Sequence, residues 1–259
     1  MLLGMIKPTS GSAKINGTTV SAGSYQLWSD VGYMVETPYA YPEITVFENL
    51  EIIRNLRGIR DKTATHRMIQ KLSLQAHANK KAKNLSLGNA GRLGIAKALI
   101  HEPKILLLDE PTNGLDPEGI VEVRNLLRSM AHEQGVTIFI SSHLLVEISM
   151  IADRIGIIHG GSLISEMNAN EFEQMRHKTL LINTNDNQRA LHFLKQKGYA
   201  VLEQDQLLRC ADKTAVEKPE DVAVLLVNAG YPPKHIQVEH EDLETYFLRV
   251  IHAKGAHHE

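Results

Sequence analysis

Residues Ile105 to Pro117 read ILLLDEPTNGLDP, and this stretch decides the fold. Its apolar run predicts a strand buried on both faces, which is typical of a parallel sheet covered by helices on each side. The run ends in two adjacent carboxylates, Asp109 and Glu110, at the sheet edge where α/β folds place their ligands. Asp116 followed by Pro117 predicts the N-cap and the first residue of the next helix. A mostly parallel α/β sheet is therefore expected.

The two carboxylates suit different tasks. Asp109 suits holding Mg²⁺, directly or through water, and Glu110 suits polarising a water that attacks a terminal phosphate. The alternative is a solvated strand end or a helix cap, because short motifs of this kind also occur by chance. From these residues alone, both interpretations stay open.

Two further segments carry candidate site residues. The run Val136–Ile140 is apolar like ILLL and predicts a second central strand, followed by Ser141, Ser142 and His143. Neighbouring parallel strands end at the same edge of a sheet, so His143 is expected to lie near Asp109 and Glu110. There its imidazole could donate a hydrogen bond to a terminal phosphate, or it could orient the attacking water and Glu110. A purely structural histidine is the alternative.

The third candidate is the segment Ser86, Leu87 and Gly88, which precedes a helix. Backbone N–H groups at a helix N-terminus can bind an anion. The alternative is that Ser86 is a plain N-cap. On this segment alone, we favour the cap.

Short apolar runs alternate with helical patterns through the first two thirds of the chain, as in α/β folds. The other predicted strands are Ala13–Asn16, Val31–Val35, Lys104–Leu108 and Arg154–Ile158. The predicted helices are Val46–Arg57, Thr63–Leu74, Gly88–Ile100, Pro117–His132 and Leu144–Ala152. These elements place the first domain at residues 1–166, with a helical insertion at about 46–100.

Residues 167–259 are expected to form a second, smaller domain. Its elements follow a β-α-β-β-α-β order, which is the ferredoxin-like pattern. The predicted segments are Leu180–Thr184, Gln188–Lys197, Ala200–Glu203, Gln206–Cys210, Glu220–Ala229 and Ile236–Glu239. A helix at Asp242–Ile251 follows, and the tail HAKGAHHE is expected to be disordered, with weak metal binding as the alternative.

Composition excludes several classes of function. The 259 residues are 43% hydrophobic and 22% charged, as in ordinary globular proteins, and the formal charge of -2 gives no general attraction to nucleic acid. The single cysteine, Cys210, cannot form an intrachain disulfide, which favours a reducing compartment. No apolar run approaches the roughly 20 residues of a membrane span. The N-terminus also lacks the basic leader of a signal peptide.

Taken in order, LSLG (85–88), GRLGIAKALIHEPKILLLDEPTNGLDP (91–117) and ISSH (140–143) strongly resemble the ATP-binding subunits of ABC transporters. In that family LSLG corresponds to the signature motif, ILLLDE to Walker B, NGLDP to the D-loop and His143 to the switch histidine. Residues 31–50, VGYMVETPYAYPEITVFENL, are similar to the Q-loop region, with Glu36 where many members carry glutamine. That glutamate and the tail EDLETYFLRVI (241–251) resemble the subgroup that exports bacitracin and lantibiotics.

The resemblance implies a P-loop NTPase-like fold, ATP and Mg²⁺ as cofactors, and transport of a peptide antibiotic. It assigns the metal to Asp109 and Glu36, catalysis to Glu110 and His143, and nucleotide contacts to Ser86, Leu87, Gly88, Asp116 and His143. It also implies two partners, a second ATP-binding subunit and a membrane permease. The location would be cytoplasmic, at the inner face of the membrane through the permease.

Two features depart from the family pattern. No Gly-Lys followed by Ser or Thr occurs anywhere in the chain, so the phosphate-binding P-loop is missing. The sequence is expected to begin inside the helix after that loop, either because the true start lies upstream or because the gene is truncated. The sheet would then be incomplete at the N-terminus, and the chain alone inactive.

The second departure is Gly91, which replaces the usual glutamine and costs about 1 kcal/mol relative to alanine in a helix interior.

Two other functions stay open at this point. The chain could be a non-catalytic partner that lends Ser86, Gly88 and Asp116 to an intact subunit while its own half-site is idle. It could also be a soluble family member in translation or DNA repair. Translation-type relatives usually carry two cassettes and repair relatives carry long coiled-coil insertions, which fit a 259-residue chain poorly.

Overall fold

The computed structural model describes residues 1–21, 23–36 and 39–255. They form two compact units, Met1–Leu144 and Leu145–Glu259. The boundary predicted at residue 166 lies inside the second unit, because residues 145–168 pack with the C-terminal helix. The tail HAKGAHHE was predicted to be disordered, but its residues 252–255 belong to the C-terminal helix Leu243–Gly255, and residues 256–259 lie outside the described residues. Among the helices of the described ranges, none is long and apolar enough to cross a membrane.

The first unit alternates strands and helices, as its sequence pattern predicts. In chain order its elements are β1 Lys14–Ile15, β2 Thr18–Thr19, α1 Tyr25–Ser29, β3 Val31–Met34, α2 Val46–Leu56, α3 Ala64–Lys71, α4 Leu87–Leu99, β4 Ile105–Asp109, α5 Pro117–His132 and β5 Thr137–Ser141. Local chemistry explains the helix starts. Thr45 and Glu48 form a capping box before α2, and Asp116 caps α5 with Pro117 as its first residue.

The main sheet of this unit is parallel, in the order β3-β4-β5. Helices α2 to α5 share one hydrophobic core with the face of β4 that carries Leu106 and Leu108. The opposite face carries Ile105 and packs against Ile15, Leu27 and Trp28 from the β1–β2 hairpin and α1. The predicted parallel α/β architecture is therefore confirmed.

The prediction that β5 is a central strand was wrong. The strand pairs with β4 on one side only and forms an edge of the three-stranded sheet within the described residues. Its Phe139 side chain is 56% exposed, although the TIFI sequence suits a strand covered on both faces. An apolar sequence shows that a strand could be buried on both faces. Whether its side chains are buried depends on where the strand lies in the sheet and on what packs against it.

The second unit begins with a hairpin and its packed helices. Its first elements are α6 Leu145–Ile151, β6 Arg154–His159, β7 Ser162–Asn168 and α7 Ala169–Met175. The predicted strand Arg154–Ile158 is thus present, but it pairs antiparallel with β7 in a separate two-stranded sheet. Ile155, Ile157 and Phe172 from these elements form a hydrophobic cluster with Leu243 and Tyr246 of the C-terminal helix α11, Leu243–Gly255.

The remaining elements of the second unit are β8 Lys178–Thr184, α8 Asn187–Gln196, β9 Val201–Gln204, β10 Leu207–Cys210, α9 Lys213–Glu217, α10 Pro219–Asn228 and β11 Pro233–His240. Their four strands form an antiparallel sheet in the order β11-β8-β10-β9. Helices α8 and α10 cover one face, where Leu180, Ile182, Leu194, Leu208 and Leu226 are fully buried. The predicted ferredoxin-like β-α-β-β-α-β order is confirmed, with α9 as an added turn of helix.

Candidate functional site

Strands β4 and β5 bring the predicted carboxylates and His143 to one edge of the parallel sheet. The register pairs Asp109 at the end of β4 with Ser141 at the end of β5. Glu110 follows directly, and its N–H donates to the Ser141 carbonyl at 3.0 Å. The parallel pairing therefore explains why residues about thirty positions apart meet at this edge.

Glu110 is held by three donors from the turn after β5. The backbone N–H of His143 donates to Oε1 at 2.9 Å, and the His143 ring nitrogen Nδ1 lies 2.8 Å from Oε2. The Ser142 hydroxyl is 3.4 Å from the same Oε2. Only 17% of the Glu110 side chain is exposed. The carboxylate therefore has a fixed orientation.

The backbone of Glu110 also has an uncommon conformation. Its φ is +48°, in the left-handed region that costs a non-glycine residue about 1–2 kcal/mol. Such strain persists only where the surroundings hold it, and it concentrates at functional sites. At Glu110 the bonds to Ser141, Ser142 and His143 are those surroundings.

His143 is exposed, in contrast to the glutamate it holds. With Nδ1 directed at Glu110, the Nε2 atom is the ring nitrogen left for another group. A neutral imidazole that donates from Nδ1 can only accept at Nε2, whereas an imidazolium can donate from both nitrogens. His143 can thus hold Glu110 through Nδ1 either as the neutral ring protonated on Nδ1 or as the imidazolium, and only the imidazolium can donate to a phosphate from Nε2 at the same time.

Asp109 is the exposed carboxylate at the end of β4. Among the described residues, no group of three or more His, Cys, Asp or Glu side chains could hold an ion. A complete protein cage is what Ca²⁺ or Zn²⁺ would need, whereas Mg²⁺ commonly binds through one or two carboxylates, waters and substrate phosphates. Glu36 is exposed and follows β3, whose Met34 pairs with Leu108, so it lies at the same edge.

The other predicted site residues form a second group, at the start of α4 and α5. Ser86 caps α4 by accepting from the Asn89 N–H at 3.3 Å, and Asp116 caps α5 by accepting from the Gly119 N–H at 3.1 Å. Gly88 packs so closely on the 113–116 loop that a Cβ at this position would lie 2.9 Å from the Gly114 carbonyl oxygen. The segments 86–88 and 113–116 therefore form one packed block.

Sequence reasoning missed several residues that build these two groups. Ser141 and Ser142 contact the carboxylates, and their signal was the polar pair that ends an apolar strand. Arg92 joins α4 to α5 through Glu122 at 2.5 Å. Gly114, with φ +73°, allows the Leu87 side chain to cover the loop. One backbone hydrogen bond joins the two groups, from the Asn113 N–H to the Glu110 carbonyl at 3.1 Å.

A family model described as ABC transporter matches residues 1–113. The bacitracin transport ATP-binding protein BcrA of Enterococcus faecalis is 37% identical over 258 residues, which cover 98% of this chain and 83% of that protein. BcrA of Bacillus licheniformis is 38% identical, with 97% and 82% covered. The lantibiotic transport ATP-binding protein SrtF of Streptococcus pyogenes is 39% identical over 166 residues, with 64% and 70% covered.

Solved structures agree on the fold. An ATP-binding subunit of an ABC transporter superposes with a TM-score of 0.59 at 25% identity, over 67% of this chain and 73% of that one. A dimeric ATP-binding cassette bound to ADP and phosphate superposes with a TM-score of 0.58 at 24% identity, with 63% and 75% covered. The predicted P-loop NTPase-like fold is therefore confirmed, and this chain belongs to the family of ABC transporter ATP-binding proteins.

Proposed function

We propose that this chain is the ATP-binding subunit of an exporter of peptide antibiotics and that the edge formed by Asp109, Glu110 and His143 is its hydrolytic half-site. The observation that carries the proposal is the Glu110 carboxylate, held by the His143 backbone N–H and ring nitrogen beside Asp109. The names of the relatives, bacitracin transport and lantibiotic transport, support the class of substrate. Binding to a membrane permease would place the subunit at the inner face of the membrane.

Each residue of the edge has a defined task in this proposal. Asp109 holds Mg²⁺, directly or through water, and Glu36 at the neighbouring strand end is the second metal-facing carboxylate. A carboxylate offers about four acceptor positions. His143 and Ser142 donors take up to three of those on Glu110. The remaining position lies free to accept from a water and to orient it toward a terminal phosphate.

The second group of residues suits a contact with another subunit. Ser86, Leu87, Gly88 and Asp116 belong to the packed block of residues 86–88 and 113–116, which is joined to the Glu110 edge by the hydrogen bond from the Asn113 N–H to the Glu110 carbonyl. Helix N-termini favour anions, because their first N–H groups have no partner inside the helix. We propose that this block contacts ATP held by a second subunit, and that Glu36–Glu48 and the helices after it face the permease.

We expect the chain by itself to have no ATPase activity. These 259 residues contain no Gly-Lys followed by Ser or Thr, so the N–H donors and the lysine that cradle the β- and γ-phosphates are missing. Loss of one preorganised donor at a charge-stabilising site costs about 10²–10³ in rate, and several are missing. The purified chain should therefore show no Mg²⁺-dependent ATPase above background.

Two measurements test these points together. ATP turnover by the purified chain that disappears in Glu110→Gln would contradict the expected inactivity but would support the role of Glu110. The same pair of proteins is then mixed with an intact subunit of the family, and turnover per dimer is measured. If turnover by the purified chain, or turnover gained on mixing, is unchanged in Glu110→Gln, the proposed hydrolytic role of this edge is wrong.

A second candidate function is that of a non-catalytic partner. The block of 86–88 and 113–116 is well packed in this chain, so it could serve the ATP site of another subunit without hydrolysis at its own edge. Mixing with an intact subunit that carries a mutated signature serine distinguishes the two functions. Rescue of turnover that persists in Glu110→Gln favours the partner role, and failure to rescue rejects it.

A further inference from the structure

The hydroxyls of Ser141 and Ser142 contact different carboxylates. The Ser141 hydroxyl lies 2.5 Å from Asp109 Oδ1, and its other acceptor, the Leu108 carbonyl, is farther away at 3.5 Å. The Ser142 hydroxyl instead lies 3.4 Å from Glu110 Oε2 and accepts from the Leu144 N–H at 3.1 Å. Ser141 is the last residue of β5 and Ser142 lies in the turn after it, so the two hydroxyls meet different partners.

Nothing in the packing of the sheet requires a serine at position 141. The residue is exposed at the end of β5, an edge strand of the three-stranded sheet, where a β-branched residue would suit the strand better. The shortest contact of its hydroxyl is Oδ1 of the Asp109 carboxylate. The Ser141 hydroxyl donates to Oδ1 of Asp109, and β5 offers no donor to the other carboxylate oxygen, Oδ2.

We propose that Ser141 is a positioning residue that holds Oδ1 of Asp109 so that Oδ2 faces a divalent cation. The inference rests on the proposed metal role of Asp109 and adds the residue that orients it. Carboxylates that bind metal ions are commonly held by such outer hydrogen bonds, and loss of the outer partner lowers metal affinity by about 10–100-fold.

The test measures Mn²⁺ affinity directly, so it does not depend on ATP turnover. Mn²⁺ is titrated into the ¹⁵N-labelled chain, and paramagnetic broadening of the amides of residues 108–110 yields an apparent Kd even for a weak site. Ser141→Ala should raise that Kd by about 10–100-fold. Ser141→Thr keeps the hydroxyl and should bind like the wild type. Ser129→Ala is the matched control, because the Ser129 hydroxyl lies on α5 and contacts Glu133, and this variant should also bind like the wild type.

The outcomes separate the two proposals. If Asp109→Asn abolishes broadening while Ser141→Ala binds as tightly as the wild type, the metal role stands and the positioning role is wrong. If the wild type shows no broadening at Asp109, the metal role fails and the positioning role fails with it. Trp28 fluorescence shows whether Ser141→Ala folds. If it does not fold, Ser141→Cys is measured instead, because a thiol is a poorer donor than a hydroxyl. Weaker Mn²⁺ binding by folded Ser141→Cys supports the proposal, and binding equal to that of the wild type overturns it.

Discussion

Gly91→Ala is expected to stabilise the first unit. Gly91 lies in the interior of α4, and an added Cβ would meet only the Asn113 carbonyl oxygen, at 4.0 Å. Glycine costs about 0.8–1.0 kcal/mol relative to alanine in a helix interior. Because the site is buried but open enough for a methyl group, most of that difference should be recovered. We expect a gain of about 1 kcal/mol, or about 2–4 °C in Tm for a chain of this size.

The assay uses the single tryptophan of the chain. Trp28 packs in the small core of the first unit with Val31 and Ile105, so its fluorescence reports the unfolding of that unit alone. Urea titrations should show a higher midpoint for Gly91→Ala at an unchanged m-value, because the substitution leaves the surface exposed on unfolding nearly the same.

Gly88→Ala is the matched control, the same substitution in the same helix. An added Cβ at Gly88 would lie 2.9 Å from the Gly114 carbonyl oxygen and 3.4 Å from Leu115 Cδ2. The backbone of the 113–116 loop would have to move, and overpacking of this kind costs about 1–3 kcal/mol. The net effect should be neutral or destabilising. If both variants raise the urea midpoint equally, or if Gly91→Ala lowers it, the account of α4 packing is refuted.

Three other outcomes are expected. Ser86→Ala should lower the stability of the first unit by about 1 kcal/mol, seen as a lower Trp28 urea midpoint, because α4 loses its N-cap; an unchanged midpoint contradicts this. Hydrogen bonds from Arg249 hold the pKa of Glu241 below its ordinary value of 4.5, so the second unit should lose stability as the pH falls through that lowered value. NMR-monitored urea titrations should show that Glu241→Gln reduces this dependence. Burial raises the pKa of the Cys210 thiol to about 11, so labelling by a thiol reagent at pH 8 should track unfolding of the second unit, and fast labelling of the native chain contradicts that burial.

Local chemistry made much of the fold predictable. Helix α5 begins and ends where Asp116, Pro117 and the apolar spacing predict, because capping and periodicity are properties of consecutive residues. The ferredoxin-like order was also predictable, since each strand and helix of the second unit carries its own pattern. The elements that the sequence did not predict, such as α1 and β7, are short or lie next to glycine turns. There the intrinsic helix and strand propensities are too small to outweigh tertiary contacts.

The stretch ILLLDEPTNGLDP by itself determined that two carboxylates end a buried strand and that a helix begins at Pro117. It also determined, with the motifs around it, the family of the protein. Only the tertiary structure decided that β5 is an edge strand and that Ser141 contacts Asp109 while His143 holds Glu110. These facts depend on strand pairing between residues about thirty positions apart, and a local pattern carries no information about the register of that pairing.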